Sequence, residues 1–298
     1  MKKIIIIIFS IIILLSFFLL EKNKNHKEYI DFSDTIDTVK KEDTETVSIG
    51  MISVSGDNKG YVAEKNLANY IAKKLNKNVK FIQRKSYKEI NTLLKNKEID
   101  IAFLSVGAYV LYDDKKNLSL IAKPCRGKSF YHPVVIAKKN SSINNIEDLR
   151  NKDFAFVDTY SYSGYIFLSN YLEEKGTNVD EFFNKKYYFT YSHEQSVRQV
   201  ANENVEAGVV DDWVLQYLEK NDPELLSEIK IVKIFDEVST GPIVTHKNYE
   251  QKDQLKEILF NINKDETISE TLDKLQITSY EETTKENYPI LRGEEDAS

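Results

Sequence analysis

The sequence predicts an α/β protein made of two tandem units of strands and covering helices. Three observations carry that expectation. Short apolar strands alternate with amphipathic helices from Val47 onward, the pattern of a parallel sheet with helices on its faces. The alternation starts afresh after residue 140, and the chain from Ile229 returns to the first unit. Several strands run directly into turns rich in Ser, His or Asp that open a helix, which is where open α/β sheets hold their ligands. With 298 residues, 41% of them hydrophobic and 30% charged, the chain is long enough to fill two cores.

The first element is an apolar run. Lys2 and Lys3 precede Ile4 to Leu20, interrupted only by Ser10 and Ser16, and then Glu21 and Lys22 follow. A basic start before an apolar stretch reads as an export signal. The 17 residues of this run would reach about 26 Å as a helix, just short of a bilayer core of about 30 Å. No small-x-small site closes the run, so an uncleaved anchor over residues 1–21 is expected, with cleavage at an atypical site as the second reading. No cysteine follows it, which excludes lipid anchoring through an N-terminal Cys. Residues 22–46 are polar and aperiodic, in keeping with a tether.

The body is then expected as follows. Val47 to Val54 is a strand, residues 55–60 a loop, Tyr61 to Leu75 a helix, Val79 to Gln83 a strand and Tyr87 to Lys95 a helix. Ile99 to Leu104 is a strand, apolar except for Asp100. Leu118 to Ala122 and Pro133 to Lys138 are strands, and Ile146 to Leu149 is a short helix. Phe154 to Val157 is a strand leading to a helix over residues 164–175. Strands at Tyr187 to Thr190 and Ala207 to Val210 alternate with helices from Glu194 and after Asp211. Ile229 to Phe235 and Ile243 to His246 are strands, and residues 251–275 are helical.

The formal charge of −6 is interspersed, with no basic stripe, so a nucleic-acid partner is not expected. The single cysteine, Cys125, can form no internal disulfide and has no His/Cys cluster beside it. It reads as a small buried hydrophobe, and no metal or cofactor is expected.

Four clusters carry the chemistry. After Phe154–Val157 come Ser161, Tyr162, Ser163 and Gly164 at a helix start, whose free N–H groups and positive dipole end suit an oxyanion. The same serines would also serve as simple helix caps. Ser192 and His193 stand at a second strand-to-helix junction, where His193 either donates to an anion or only packs. Asp211 and Asp212 end a third strand, as ligand acceptors or as caps. Ser105 and Tyr109 follow the strand that contains Asp100, Tyr109 as a ligand contact or as a core residue.

As a set these blocks resemble the phosphate/phosphite/phosphonate-binding proteins of ABC transporters. The stretch from Ile99 to Val110 is similar to that family's G-x-hydrophobic-D-hydrophobic-A … S-Y-V segment, and Ser141 to Lys152 to its D-S-x-I-x-x-L-x-D-L-K-G-K. Val157 to Gly164 is similar to V-D-P-x-S-T-S-G, Ser192-His193 to G-S-H, and Val205 to Asp211 to V-D-A-G-V-V-D. Ser239 to Pro242 lies where the family has S-x-x-I-P-x-G-P. The resemblance runs over about residues 47–248 in the family's order.

It implies a two-lobed type II periplasmic-binding-protein fold with a ligand cleft between the lobes, lobe 1 over 47–139 and 229–298 and lobe 2 over 140–228. It further implies that Ser161, the Tyr162 backbone, Ser163 and His193 grip a small phosphorus oxyanion, that Tyr109 and Ser105 approach from the other lobe, and that Asp211 accepts from a protonated ligand oxygen or amine. The implied partner is an ABC permease, served outside the cytoplasm at the cell membrane. Three departures stand out: Tyr162 where the family has Thr, no Ile-Pro near Ser239, and no lipid-anchoring cysteine.

Other classes fit less well. An α/β-hydrolase needs G-x-S-x-G and an acid before its His, and here the string is Tyr-Ser-Tyr-Ser-Gly with Ser, His and Asp in that order. A sensor that reports ligand to a membrane signalling partner, or a binder of a non-phosphorus ligand, would use the same pocket.

Overall fold

The computed structural model describes residues 45–52, 58–84 and 86–289. The chain divides into Met1–Asp43 and Thr44–Ser298, and the described residues belong to the second unit. The apolar run, residues 22–44 of the tether expected over 22–46 and residues 55–57 of the loop expected over 55–60 lie outside them, and residues 58–60 of that loop are helical. Among the described residues no helix is long and apolar enough to cross a membrane.

The chain begins with β1 (Thr46–Ile52), α1 (Asn58–Lys74), β2 (Asn78–Arg84), α2 (Tyr87–Lys95), β3 (Ile101–Phe103), α3 (Val106–Val110) and β4 (Leu118–Cys125). A two-residue strand, β5 (Phe130–Tyr131), leads to β6 (Pro133–Lys138), β7 (Phe154–Phe156), α4 (Phe167–Glu174), α5 (Val179–Phe182) and β8 (Tyr187–Phe189). Then come α6 (His193–Ala201), β9 (Ala207–Asp211), α7 (Asp212–Asn221), α8 (Pro223–Ser227), β10 (Ile229–Ile234), β11 (Val238–Ser239), β12 (Ile243–His246), α9 (Lys252–Asn261), α10 (Ser269–Lys274) and β13 (Ser279–Glu281).

The strands form a six-stranded sheet in the order β13-β4-β12-β3-β1-β2 and a five-stranded sheet in the order β10-β6-β9-β7-β8. Parallel pairing holds where the βαβ pattern predicted it, at β2–β1–β3 and at β8–β7–β9. The sheets are nevertheless mixed: β12 runs antiparallel to β3 and β4, and β6 runs antiparallel to β9 and β10. These are the strands on which the chain passes from one sheet to the other, and they carry no crossover helix of their own. The ladders also shift the expected boundaries. Pro133–Lys138 and Ile229–Ile234, placed in the first lobe by the sequence reading, both pair within the second sheet.

Each sheet is covered on both faces, which is why its central strands read as continuous apolar runs. On the first sheet, Leu67, Ile71 and Leu75 follow the four-residue spacing of one face of α1 and its end and pack with Leu255, Leu259 and Leu272. Burying side chains of this kind contributes about 1.5–3 kcal/mol each. Ile90 and Leu94 of α2 cover the opposite face. On the second sheet Phe154, Phe156, Phe182 and Phe183 stack on one side, while Val197 and Val200 of α6 fill the other. Asp100, the polar exception before β3, is structural: its carboxylate accepts from the Ser48 N–H at 2.7 Å and from the Ser48 hydroxyl at 2.5 Å.

The two crossings lie side by side. β5 and β11 pair antiparallel, Val238 opposite Tyr131 and Ser239 opposite Phe130. The His132 Nδ1 lies 2.9 Å from the Phe235 carbonyl oxygen, and the Thr240 N–H donates to Ser129 O at 3.0 Å. Asp212 ties this ribbon to α7, accepting from the His132 N–H and from Lys128 Nζ, both at 2.9 Å.

Candidate ligand-binding site

A cavity of about 200 Å³ lies between the two sheets, at the strand ends, and is lined by residues of both. From the second sheet's side, β7 delivers the chain into Asp158 and then into a single π-helical turn, Tyr162–Ile166, that feeds α4. The Ile166 N–H reaches back to Ser161 O at 3.0 Å, which makes the turn wide at the functional strand end. Ser161 caps it, its Oγ accepting from the Gly164 N–H at 3.1 Å. Gly164 is required by the close approach: a Cβ there would sit 2.5 Å from Val157 Cβ and 2.7 Å from Ser161 Oγ. Ser161 and Ser163 are each 2% exposed and line the cavity.

Tyr162 lines it as well. The bulk that distinguishes it from threonine is taken up in apolar packing, with its ring edge-on to Phe167 at 6.0 Å. His193 opens α6 behind its cap Ser192, and its Nδ1 accepts from the Asp211 N–H at 3.1 Å. That bond leaves the ring proton on Nε2, which lies 3.5 Å from Asp211 Oδ2. Asp211 caps α7 by accepting from the Val214 N–H at 2.8 Å, and its side chain still lines the cavity. The two adjacent carboxylates therefore divide the work: Asp211 faces the cavity, and Asp212 holds the crossing ribbon.

From the first sheet's side, Ser105 caps α3, accepting from the Ala108 N–H at 3.1 Å, and donates a long 3.5 Å bond to the Tyr160 carbonyl across the cavity's edge. Tyr109 is placed differently from Ser105. It is 4% exposed, stacks edge-on against Tyr288 at 4.8 Å, and is not among the residues lining the cavity.

Among the lining residues not named as site residues from the sequence are Tyr87, Tyr131, Arg126, Trp213 and Glu64. Tyr87 stands at the start of α2 with its phenol against the Ser161 hydroxyl, and burial pushes its pKa up. Tyr131, in the crossing ribbon, sets its phenol against the Ser163 hydroxyl and is pushed up strongly by the same cause. Both therefore stay protonated donors. Asp158 faces the Tyr87 and Tyr160 backbone N–H groups, and its burial outweighs those bonds and raises its pKa. Arg126 stacks its guanidinium over Trp213, 4.4 Å from the ring centroid. The strand-end signal that found the serines was present for three of these, because Tyr87 follows β2, Arg126 follows β4 and Trp213 follows β9.

Four hydroxyls, carried by the two sheets and the crossing ribbon, thus meet at one helix start, a donor arrangement that suits an oxyanion. Residues 49–288 match the family described as "ABC transporter, phosphonate, periplasmic substrate-binding protein". The chain belongs to this family. The phosphonate-binding family assignment agrees with curated relatives. The chain is 27% identical over 211 residues to the phosphonates-binding periplasmic protein of Escherichia coli (strain K12), covering 68% of this chain and 62% of that protein. It is 24% identical over 206 residues to a probable ABC transporter phosphite binding protein, PhnD1, of Prochlorococcus marinus (strain MIT 9301), covering 65% of this chain and 69% of that one. The chain thus matches less than two thirds of the length of the E. coli relative.

The fold of the family is visible in solved structures. PhnD1 from Prochlorococcus marinus (MIT 9301), in complex with methylphosphonate, superposes with a TM-score of 0.74 at 21% identity, over 82% of this chain and 94% of that one. A binding protein component of an ABC phosphonate transporter from Pseudomonas aeruginosa gives 0.74 at 22% identity, over 82% and 83%. An ancestral arginine-binding protein bound to arginine gives 0.54 at 23% identity, over 77% and 97%. The expected two-lobed type II periplasmic-binding-protein fold is the fold observed.

Proposed function

We propose that the chain is the extracytoplasmic binding component of an ABC importer and takes a small phosphorus oxyanion of the phosphonate class. In this reading Ser161, Ser163, the Tyr162 backbone N–H and His193 Nε2–H donate to the oxygens, with Tyr87 and Tyr131 completing the shell from the facing side. Asp211 accepts from a protonated oxygen or an amine. Ser105 and Tyr109 act on closure, Ser105 through its bond to Tyr160. The observation that carries the reading is the pairing of Tyr87 with Ser161 and of Tyr131 with Ser163 around the π-turn that opens at Tyr162, a helix start of the kind that suits an oxyanion.

The reading asks for binding and no covalent step. Ser161 Oγ is engaged as a cap, and His193 Nδ1 accepts its hydrogen bond from the Asp211 backbone N–H, not from a serine. The two halves of the body act as lobes about the β5–β11 ribbon, and a ligand touching both favours the closed state by its differential affinity. The apolar run Ile4 to Leu20 serves as export signal and tether, with a membrane permease as partner.

The test is a thermal-shift series on the full-length chain with methylphosphonate, phosphite, phosphate and sulfate. A ligand present at about 100 times its dissociation constant adds about 2.7 kcal/mol of stability. A shift with methylphosphonate or phosphite, lost in Ser163→Ala, supports the reading. A sulfate response equal to theirs, or no response to any phosphorus oxyanion, overturns it.

A further inference from the structure

The cavity continues past the four hydroxyls. Beyond the serines it runs on to Arg126, Trp213, Glu64 and Asp211, and an adjoining cavity shares these four residues together with His193 and Leu275, and none of the four hydroxyls. Two donors there point at nothing. Arg126 Nε and Trp213 Nε1 are both buried without a hydrogen-bond partner, and the guanidinium lies flat on the indole at 4.4 Å. Among the described residues Arg126 enters no ion pair. Buried N–H donors without acceptors are costly, and two of them side by side, one of them on a guanidinium, suit an acceptor that brings its own charge. A carboxylate has the planar, two-oxygen geometry that a guanidinium fork matches.

The same end also carries negative charge. Glu64 is 4% exposed and lines both cavities beside Arg126, as does Asp211. A lone carboxylate ligand would be repelled by these two. A carboxylate with an ammonium on the neighbouring carbon would satisfy Arg126 and Trp213 with one group and face Glu64 and Asp211 with the other.

We propose that the Arg126–Trp213 end recognises an α-amino-carboxylate head, so that the ligand class is a phosphono-amino acid held by its phosphonate at the serines and by its carboxylate at Arg126 and Trp213. This rests on the serine end binding the phosphonate, and the experiment separates the two. Calorimetry on the full-length chain would compare methylphosphonate, 2-aminoethylphosphonate and 2-amino-3-phosphonopropionate, which add the amine and then the carboxylate stepwise. The amino acid is expected to bind at least about tenfold tighter than 2-aminoethylphosphonate, the scale of one charge-assisted hydrogen-bonded pair.

In Arg126→Gln that gain should vanish while methylphosphonate binding holds within about threefold. Trp213→Phe keeps the ring and removes only its N–H donor, and is expected to cost the amino acid severalfold and methylphosphonate nothing. Equal affinity of the wild-type chain for 2-aminoethylphosphonate and the amino acid overturns the proposal and leaves the serine end intact. Equal losses of all three ligands in Arg126→Gln, or an unchanged gain in Trp213→Phe, also overturn it. Absence of binding by every phosphonate overturns both readings.

Discussion

Tyr131 and Tyr87 bring hydroxyls into a cavity whose walls are mostly apolar, and each pairs with a serine from the far side. A phenol kept protonated by burial is a donor at any physiological pH, so its contribution to an oxyanion is not pH-gated. Tyr131→Phe preserves the ring and deletes that donor. It is expected to weaken methylphosphonate about five- to tenfold, the equivalent of about 1–1.5 kcal/mol for one hydrogen bond, with no loss of thermal stability in the unliganded protein. Calorimetry beside an unliganded melting curve checks both parts. A matching fall in stability would make Tyr131 a core residue. Asp211 shows why a residue-scale reading of sequence leaves roles open. A cap and a cavity wall use different oxygens of the same carboxylate, so the two expectations for it were compatible all along.

At the scale of elements, the helix and strand periods were legible because they repeat within three or four residues. Tyr87–Lys95, Pro133–Lys138 and Ile243–His246 stand where the periodicity put them. The start of α4 was harder to read: the expected helix from Gly164 opens as a π-turn from Tyr162, because Gly164 lets the turn sit directly on Val157. The β5–β11 ribbon had no signal, since two-residue strands are too short for any alternation to show. Asp212 is the clamp on that ribbon. Asp212→Ala removes acceptors for the His132 N–H and for Lys128, at a carboxylate that is 17% exposed. Unfolding in urea should show a loss of about 2 kcal/mol, the range for hydrogen bonds to a charged group. A change below about 0.5 kcal/mol would mean that β5 and β11 hold the crossing unaided.

For the whole molecule, a close approach between the two halves is α3 against the loop before the π-turn. A Cβ on Gly107 would meet the Tyr160 carbonyl oxygen at 2.2 Å and Ile166 Cδ1 at 2.9 Å. Both obstacles belong to the second half, where Ile166 packs against the apolar residues of α3, so Gly107→Ala pushes the two halves apart at this contact. We expect weaker methylphosphonate binding by about tenfold or more, a melting temperature of the unliganded chain within a few degrees of wild type, and a larger radius of gyration in solution scattering with ligand present. An unchanged affinity would show that the closed arrangement is not what binds.

The sequence by itself determined the alternation of strands and helices, the capping alternatives at Ser161 and Asp211, and the order of motifs that marks the family. These are local properties, encoded by side-chain periodicity and by the free N–H groups at helix starts. The tertiary structure alone decided which hydroxyls face which. Tyr87 meets Ser161, Tyr131 meets Ser163, and Arg126 finds Trp213 only because the antiparallel crossings turn the chain from one sheet to the other and back. It also decided that Tyr109 packs on Tyr288 behind the cavity wall. Contacts of this kind depend on strand order and on where the chain changes sheets, and neither leaves a mark within the few residues over which a sequence pattern can be read.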